Sequence, residues 1–126
     1  MAKTEKDFEI GIVDDNVQTA ISISQILEHN GFKTFQAYNV DDAIRECNSR
    51  KPALLPLDLR LGGGKMGYDV AEKIRGQEIL FITGYDVDEA KLSKLKNVRG
   101  VLAKPIDIDS LLSKVREVLK IPKLAE

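Results

Sequence analysis

The chain has 126 residues, 43% of them hydrophobic and 31% charged, with a formal net charge of -1. That is enough for one globular domain with a single core, and the near-neutral balance provides no global field to attract nucleic acid or an anionic membrane. The opening MAKTEKDFEI has no apolar signal region, no stretch approaches a membrane span, and the lone Cys47 excludes an internal disulfide or a cysteine-built metal site, so the expected setting is reducing and cytoplasmic.

Phe8 to Val13 is a short apolar run that reads as a buried strand. Asp14-Asp15 follow it, then Asn16 as N-cap of a helix reaching about Asn30, where Gly31 ends it. This helix is expected to bury Val17, Ala20, Ile21 and Leu27. FKTFQA, with incomplete alternation, reads as a strand at a sheet edge. Val40 to Lys51 is the next helix, stopped by Pro52. A third strand, Ala53 to Leu59, contains Asp58 and also Pro56, which lacks the N–H that a central strand would use. The glycine-rich RLGGGKMG then leads into a short helix from about Tyr68 to Arg75.

EILFIT is the fourth strand and ends at Thr83. Asp86 to Lys96 reads as a polar helix with only Val87, Ala90, Leu92 and Leu95 as apolar content. The fifth strand, Val98 to Ala103, ends at Lys104-Pro105, and a last helix from Asp107 to Lys120 spaces Leu112, Val115 and Leu119 along one face. Five strands alternating with five helices predict right-handed crossovers and a doubly wound α/β fold, a parallel sheet covered on both faces. The domain is expected to span 1–126, with its core from about 8 to 120.

In such a sheet the carboxyl ends of the strands share one edge. Asp14-Asp15, Asp58, Thr83 and Lys104 stand at the ends of strands one, three, four and five. Singly, each has a structural explanation as a helix cap, a turn residue, a β-favouring residue or a solvated lysine. Together they place three carboxylates, a hydroxyl and an ammonium in one crevice. Carboxylates about 5 Å apart repel by roughly 3 kcal/mol per pair at an effective dielectric near 20, so such a cluster favours a divalent cation. Hard oxygen donors suit Mg²⁺, and a cation with Lys104 would neutralise a phosphoryl group while one carboxylate acts as nucleophile.

With these motifs the chain resembles, over essentially its whole length, a response-regulator receiver domain of two-component signalling, similar to the chemotaxis regulators. The resemblance implies a flavodoxin-like strand order of 2-1-3-4-5, as in a chemotaxis regulator of that family. It implies Asp58 as the phosphoacceptor, Asp15 as a direct Mg²⁺ ligand, Asp14 as a ligand through water and the Arg60 backbone carbonyl as a further ligand. Thr83 and Lys104 match the residues that contact the phosphoryl group, and Lys104-Pro105 is cis in similar domains. The implied role is a cytoplasmic phosphoprotein of a phosphorelay rather than an enzyme. Its implied partners are a sensor histidine kinase or phosphotransfer protein and, through helix four, strand five and helix five, a downstream protein. Neither nucleic acid nor membrane is contacted directly. Arg60 and Tyr85 occupy positions that flank the path of attacking water in similar domains.

The chain also departs from the family pattern. Val101 stands where receivers usually carry an aromatic residue coupled to the threonine. Gly62 replaces the proline commonly found four residues after the phosphoacceptor, and the loop is about one residue longer. Val101 and Pro56 favour the alternative of a receiver-like interaction module that does not use phosphorylation, and the complete acidic triad with Thr83 and Lys104 opposes it. Gly62 to Gly67 also satisfies GxGxxG, but Asp58 just upstream would repel a pyrophosphate. A flavin-phosphate site would not place Asp14-Asp15 in its first loop. A haloacid-dehalogenase-type phosphatase would carry a second aspartate where Arg60 stands. His29 is expected at the surface and Cys47 inside helix two. Lys91, Lys94, Lys96 and Arg99 form a basic run in and after helix four.

Overall fold

The computed structural model describes residues 3–122. Five strands, β1 (Glu9–Val13), β2 (Lys33–Ala37), β3 (Leu55–Leu57), β4 (Ile79–Thr83) and β5 (Val98–Ala103), form one sheet. They alternate with α1 (Val17–His29), α2 (Val40–Arg50), α3 (Gly67–Lys73), α4 (Glu89–Ser93) and α5 (Ile108–Leu119), and a 3-10 turn at Glu5–Asp7 precedes β1. All pairings are parallel and the order is β2-β1-β3-β4-β5, with β2 at an edge as expected.

Alternation along the strands divides the core in two. On one face Leu55, Leu57, Ile79 and Phe81 pack with Ala43 and Cys47 of α2 and Val70 and Ala71 of α3. On the other, Ile10, Ile12, Leu80 and Ile82 pack with Ala20, Ile23 and Leu27 of α1 and Leu111 and Val115 of α5. Coverage on both faces is why the central strands read as apolar runs instead of alternating with polar residues. Cys47 lies in the first cluster, and burial pushes its thiol up to about 12.

Polar caps start the helices close behind the strand ends. Asn16 accepts from the Thr19 N–H at 3.0 Å, Asn39 from Asp42 at 2.8 Å and Asp107 from Ser110 at 2.9 Å. Each satisfies one of the donors that a helix start leaves free.

Three elements differ from expectation. Val17 in α1 is exposed and Ile21 half-buried, while Ile23 and Ser24 join Ala20 and Leu27 inside. The buried stripe is thus rotated from the expected one, and Ser24 is accommodated because it accepts from Gln36 Nε2 at 2.7 Å. β3 is only three residues long. On its β4 side the register Leu55–Ile79, Pro56–Leu80, Leu57–Phe81 is continuous. Towards β1, the pairings among the described residues are Ile10–Leu54 and Val13–Leu57, with hydrogen bonds from Gly11 N–H to Leu54 and from Asp58 N–H to Val13 on either side of Pro56. The missing proline donor accounts for the gap. Finally, α4 begins at Glu89, not Asp86, because Asp88 caps it, and it buries no residue.

Asn97, unremarked in the sequence, is a buried polar residue joining α3 to the start of β5. Its Nδ2 donates to the carbonyls of Ala71 (3.2 Å), Ile74 (3.1 Å) and Gln77 (2.9 Å), closing the carboxyl end of α3. Truncation would take this donor from the Ala71 and Gln77 carbonyls, while Ile74 keeps the Gln77 N–H. Asn97→Ala is expected to lower unfolding free energy by about 2 kcal/mol in urea titration, and a change within about 0.5 kcal/mol would show that solvent replaces the amide.

Candidate functional site

The parallel register carries the ends of β1, β3, β4 and β5 to one edge, and the charged residues that follow them meet there. Asp14 is 2%, Asp58 6% and Thr83 3% exposed, whereas Asp15 is open to solvent. Carboxylate oxygens of Asp14, Asp15 and Asp58 all lie within 4.8 Å of one another. Lys104 enters from the end of β5, its Nζ 2.8 Å from Asp14 Oδ2 and 3.1 Å from Asp58 Oδ2. The Lys104–Pro105 peptide is cis. Asp14 Oδ1 also accepts from the Asn16 N–H at 2.9 Å, so this aspartate is tied to the start of α1 as well as to the lysine.

The electrostatics explain the geometry. Burial and the charge of Asp14 push the Asp58 carboxyl above its ordinary value, against the opposing pull of Lys104 and the Arg60 N–H. Burial works against the Lys104 charge, but its hydrogen bonds to Asp14 and Asp58 and their charges outweigh this and hold its ammonium above the usual value. The repulsion expected from the acidic triad is therefore partly compensated by the chain itself. Three carboxylates and one ammonium still leave an excess of negative charge facing solvent through Asp15. Clustered hard oxygens of this kind fit a divalent cation such as Mg²⁺.

Around this cluster the loops are built to close tolerances. Thr83 Oγ1 accepts from the Tyr85 N–H at 3.0 Å, which leaves the hydroxyl proton free to be donated elsewhere. The Arg60 guanidinium stacks 3.9 Å from the Tyr85 ring centroid, joining the loop after β3 to the loop after β4. Gly62, Gly63 and Gly64 all have positive φ, and a Cβ on Gly62 would sit 3.2 Å from Asp15 Oδ2. Gly67 matters for a different reason. A Cβ there would lie 2.5 Å from the Asp58 carbonyl oxygen, so only glycine lets α3 start against the end of β3. The sequence signal for it was the last glycine of GxGxxG directly before a helix, and it serves helix packing. The other singled-out residues lie outside the cluster: His29 is exposed, Cys47 is buried in α2, and the basic run is on the surface.

The family model described as the response regulator receiver domain matches residues 10–116. The acid tolerance regulatory protein ActR of Sinorhizobium medicae is 34% identical over 116 residues, covering 85% of this chain and 57% of its own. Sporulation initiation phosphotransferase F of Bacillus subtilis is 28% identical, covering 88% of this chain and 93% of its own. The chain thus spans little more than half of one relative and nearly all of the other. Among solved structures, a CheY-like receiver domain protein of Methanospirillum hungatei superposes with a TM-score of 0.82 at 26% identity, covering 90% and 94% of the two chains. A two-component response regulator of Clostridium difficile gives 0.81 at 27% identity, covering 90% and 97%.

Because the folded protein holds a proton on Asp58 more tightly than the unfolded chain does, ionising Asp58 costs stability. In metal-free protein its contribution improves as pH falls through the raised folded-state value towards 3.8, and is lost as pH rises. The Lys104 contribution is complete below 10.5 and disappears only as pH rises through its folded-state value above that. Asp58→Asn stands in for the neutral acid. In chelator at neutral pH it is expected to unfold at a higher urea concentration than the wild type, with the gap closing on acidification. A lower midpoint would mean that Lys104 outweighs both burial and Asp14.

Proposed function

This chain belongs to the response regulator receiver domain family, and on that premise we propose that it takes a phosphoryl group onto Asp58 in a Mg²⁺-dependent reaction and so switches partner binding. The donor is a sensor histidine kinase or a phosphotransfer protein, and the output is a downstream protein that meets the α4, β5 and α5 face. The observation that carries this reading is the position of Asp58. It is a nearly buried carboxylate at the end of a central strand, in contact with the one ammonium of the site and clustered with two further carboxylates.

In this reaction an Asp58 oxygen attacks phosphorus, the bond to the donor breaks, and an acyl phosphate forms. Asp14, Asp15, Asp58 and the Arg60 backbone carbonyl would hold Mg²⁺, which when bound supplies charge neutralisation to the phosphoryl oxygens. Lys104 exchanges a carboxylate contact for a phosphoryl oxygen, and the Thr83 hydroxyl donates to another. The alternative reading, an interaction module independent of phosphorylation, rests on Val101 at the place of the family's aromatic residue and on the interrupted pairing at Pro56.

Acetyl phosphate with Mg²⁺, followed by intact mass, separates the two readings. The wild type is expected to gain one phosphoryl group, to lose it in hydroxylamine, and to remain unlabelled in chelator. Labelling of Asp58→Ala to the same extent would overturn the assignment.

We tie the lifetime of the phosphorylated form to Arg60 and Tyr85, which stack on one another in the loops after β3 and β4. Hydrolysis requires a water aligned opposite the bond to Asp58, and two large side chains at positions that flank this path in similar domains should crowd it. Slow loss is expected in the wild type, with Arg60→Asn plus Tyr85→Glu accelerating it about tenfold, roughly 1.4 kcal/mol in barrier. The measurement is the decay of phosphorylated protein after donor removal, under matched Mg²⁺. Equal decay rates would remove the pair from any role in water access.

A further inference from the structure

Tyr68 is a buried tyrosine in the first turn of α3, and its contacts run in three directions. Its neighbour Gly67 packs on the Asp58 carbonyl and donates its N–H to Leu59 at 2.7 Å, which fixes the base of α3 to the end of β3. Its ring meets Phe81 edge to face, with centroids 5.5 Å apart and planes at 71°. Phe81 is two residues before Thr83 on the same strand and pairs in register with Val101 of β5. The Tyr68 hydroxyl accepts from the Asp88 N–H at 2.7 Å.

Asp88 is the cap of α4, its carboxylate accepting from Ala90 at 3.0 Å and Lys91 at 3.1 Å. One residue therefore has its backbone held by Tyr68 while its side chain holds the start of the helix. Lys91 returns from α4 to lie 5.6 Å over the Tyr68 ring. The helix has five residues, none of them buried, so little else fixes it beyond the half-buried Val87, Leu92 and Leu95 in and beside it. A short helix with so little burial responds to small changes in its anchors.

We infer that Tyr68 is a positioning residue that couples the strand-end site to α4, linking Asp58 through Gly67 and Thr83 through Phe81 to the cap of that helix. The inference rests on the phosphoacceptor reading for the event that drives it, and on the contacts alone for the anchor. The Tyr68–Phe81 pair lies one strand inward from Val101, so the aromatic contact is between α3 and β4 and does not involve β5. A phosphoryl group that draws Thr83 towards Asp58 shifts the end of β4, and the Phe81 ring and the Tyr68 hydroxyl carry that shift to Asp88. The coupling is energetic, through packing and one hydrogen bond, and needs no covalent step.

Tyr68→Phe keeps the ring against Phe81 and removes only the acceptor, so the variant is expected to fold. Amide exchange of residues 86–93 is measured in the full chain with and without acetyl phosphate and Mg²⁺, alongside phosphoryl uptake by intact mass. Without donor, Tyr68→Phe is expected to exchange about tenfold faster at Ala90 to Leu92 than the wild type, with sheet amides unchanged. Unchanged exchange there overturns the anchor. With donor, uptake is expected to be equal in the two proteins, while the phosphorylation-dependent change at residues 86–93 falls by about half or more in the variant. A change of the same size in both overturns the coupling, because a merely structural role would leave it intact. Absence of uptake by the wild type would defeat the phosphoacceptor reading, and the driven coupling with it, while the exchange comparison without donor still decides the anchor.

Discussion

An ionised carboxylate at the end of a strand buried on both faces must find a partner or lose its charge. Asp58 is in that position, and the ammonium of Lys104 reaches it from two strands away. The same ammonium binds Asp14, so one cation joins the ends of β1, β3 and β5. The order of the sheet makes this possible. With β3 in the middle, β1 on one side and β4 and β5 on the other, the lysine's reach spans the crevice that the strand ends define. An excess of negative charge still faces solvent, which favours a cation there.

The fold was legible because it is written in local patterns. Apolar runs ending in charged or hydroxyl residues located four strands, and apolar spacing with the Asn16 cap and the Gly31 and Pro52 stops placed every helix except α4 to within a residue or two. The site was legible for the same reason, since each of its members ends a strand. What could not be read depends on contacts between distant segments. The sequence marked the donor that Pro56 lacks but not that the gap falls towards β1, and Ser24 is admitted to the buried stripe of α1 by Gln36 reaching it from β2. Asn97 and Tyr68 act on backbone atoms about twenty residues away, and no periodicity within either segment announces them.

The glycine-rich segment illustrates the same division. Its spacing satisfies a dinucleotide pattern, yet its glycines answer to two unrelated demands. Gly62 to Gly64 adopt positive φ to turn the chain beside Asp15, and Gly67 gives up its side chain so that α3 can begin against the Asp58 carbonyl. A pattern in the sequence thus reported local geometry correctly while suggesting a ligand that the neighbouring carboxylates would repel.

Cys47 gives the molecule a further property. Burial raises the Cys47 thiol to about 12, which disfavours the reactive thiolate at neutral pH, and the sulfur is buried besides. The only sulfhydryl of the chain is therefore a poor target for peroxide, glutathione or alkylating reagents while the fold is intact. A cysteine introduced on α4 would then be the sole labelling point, giving a spectroscopic handle on that helix without first removing the native thiol.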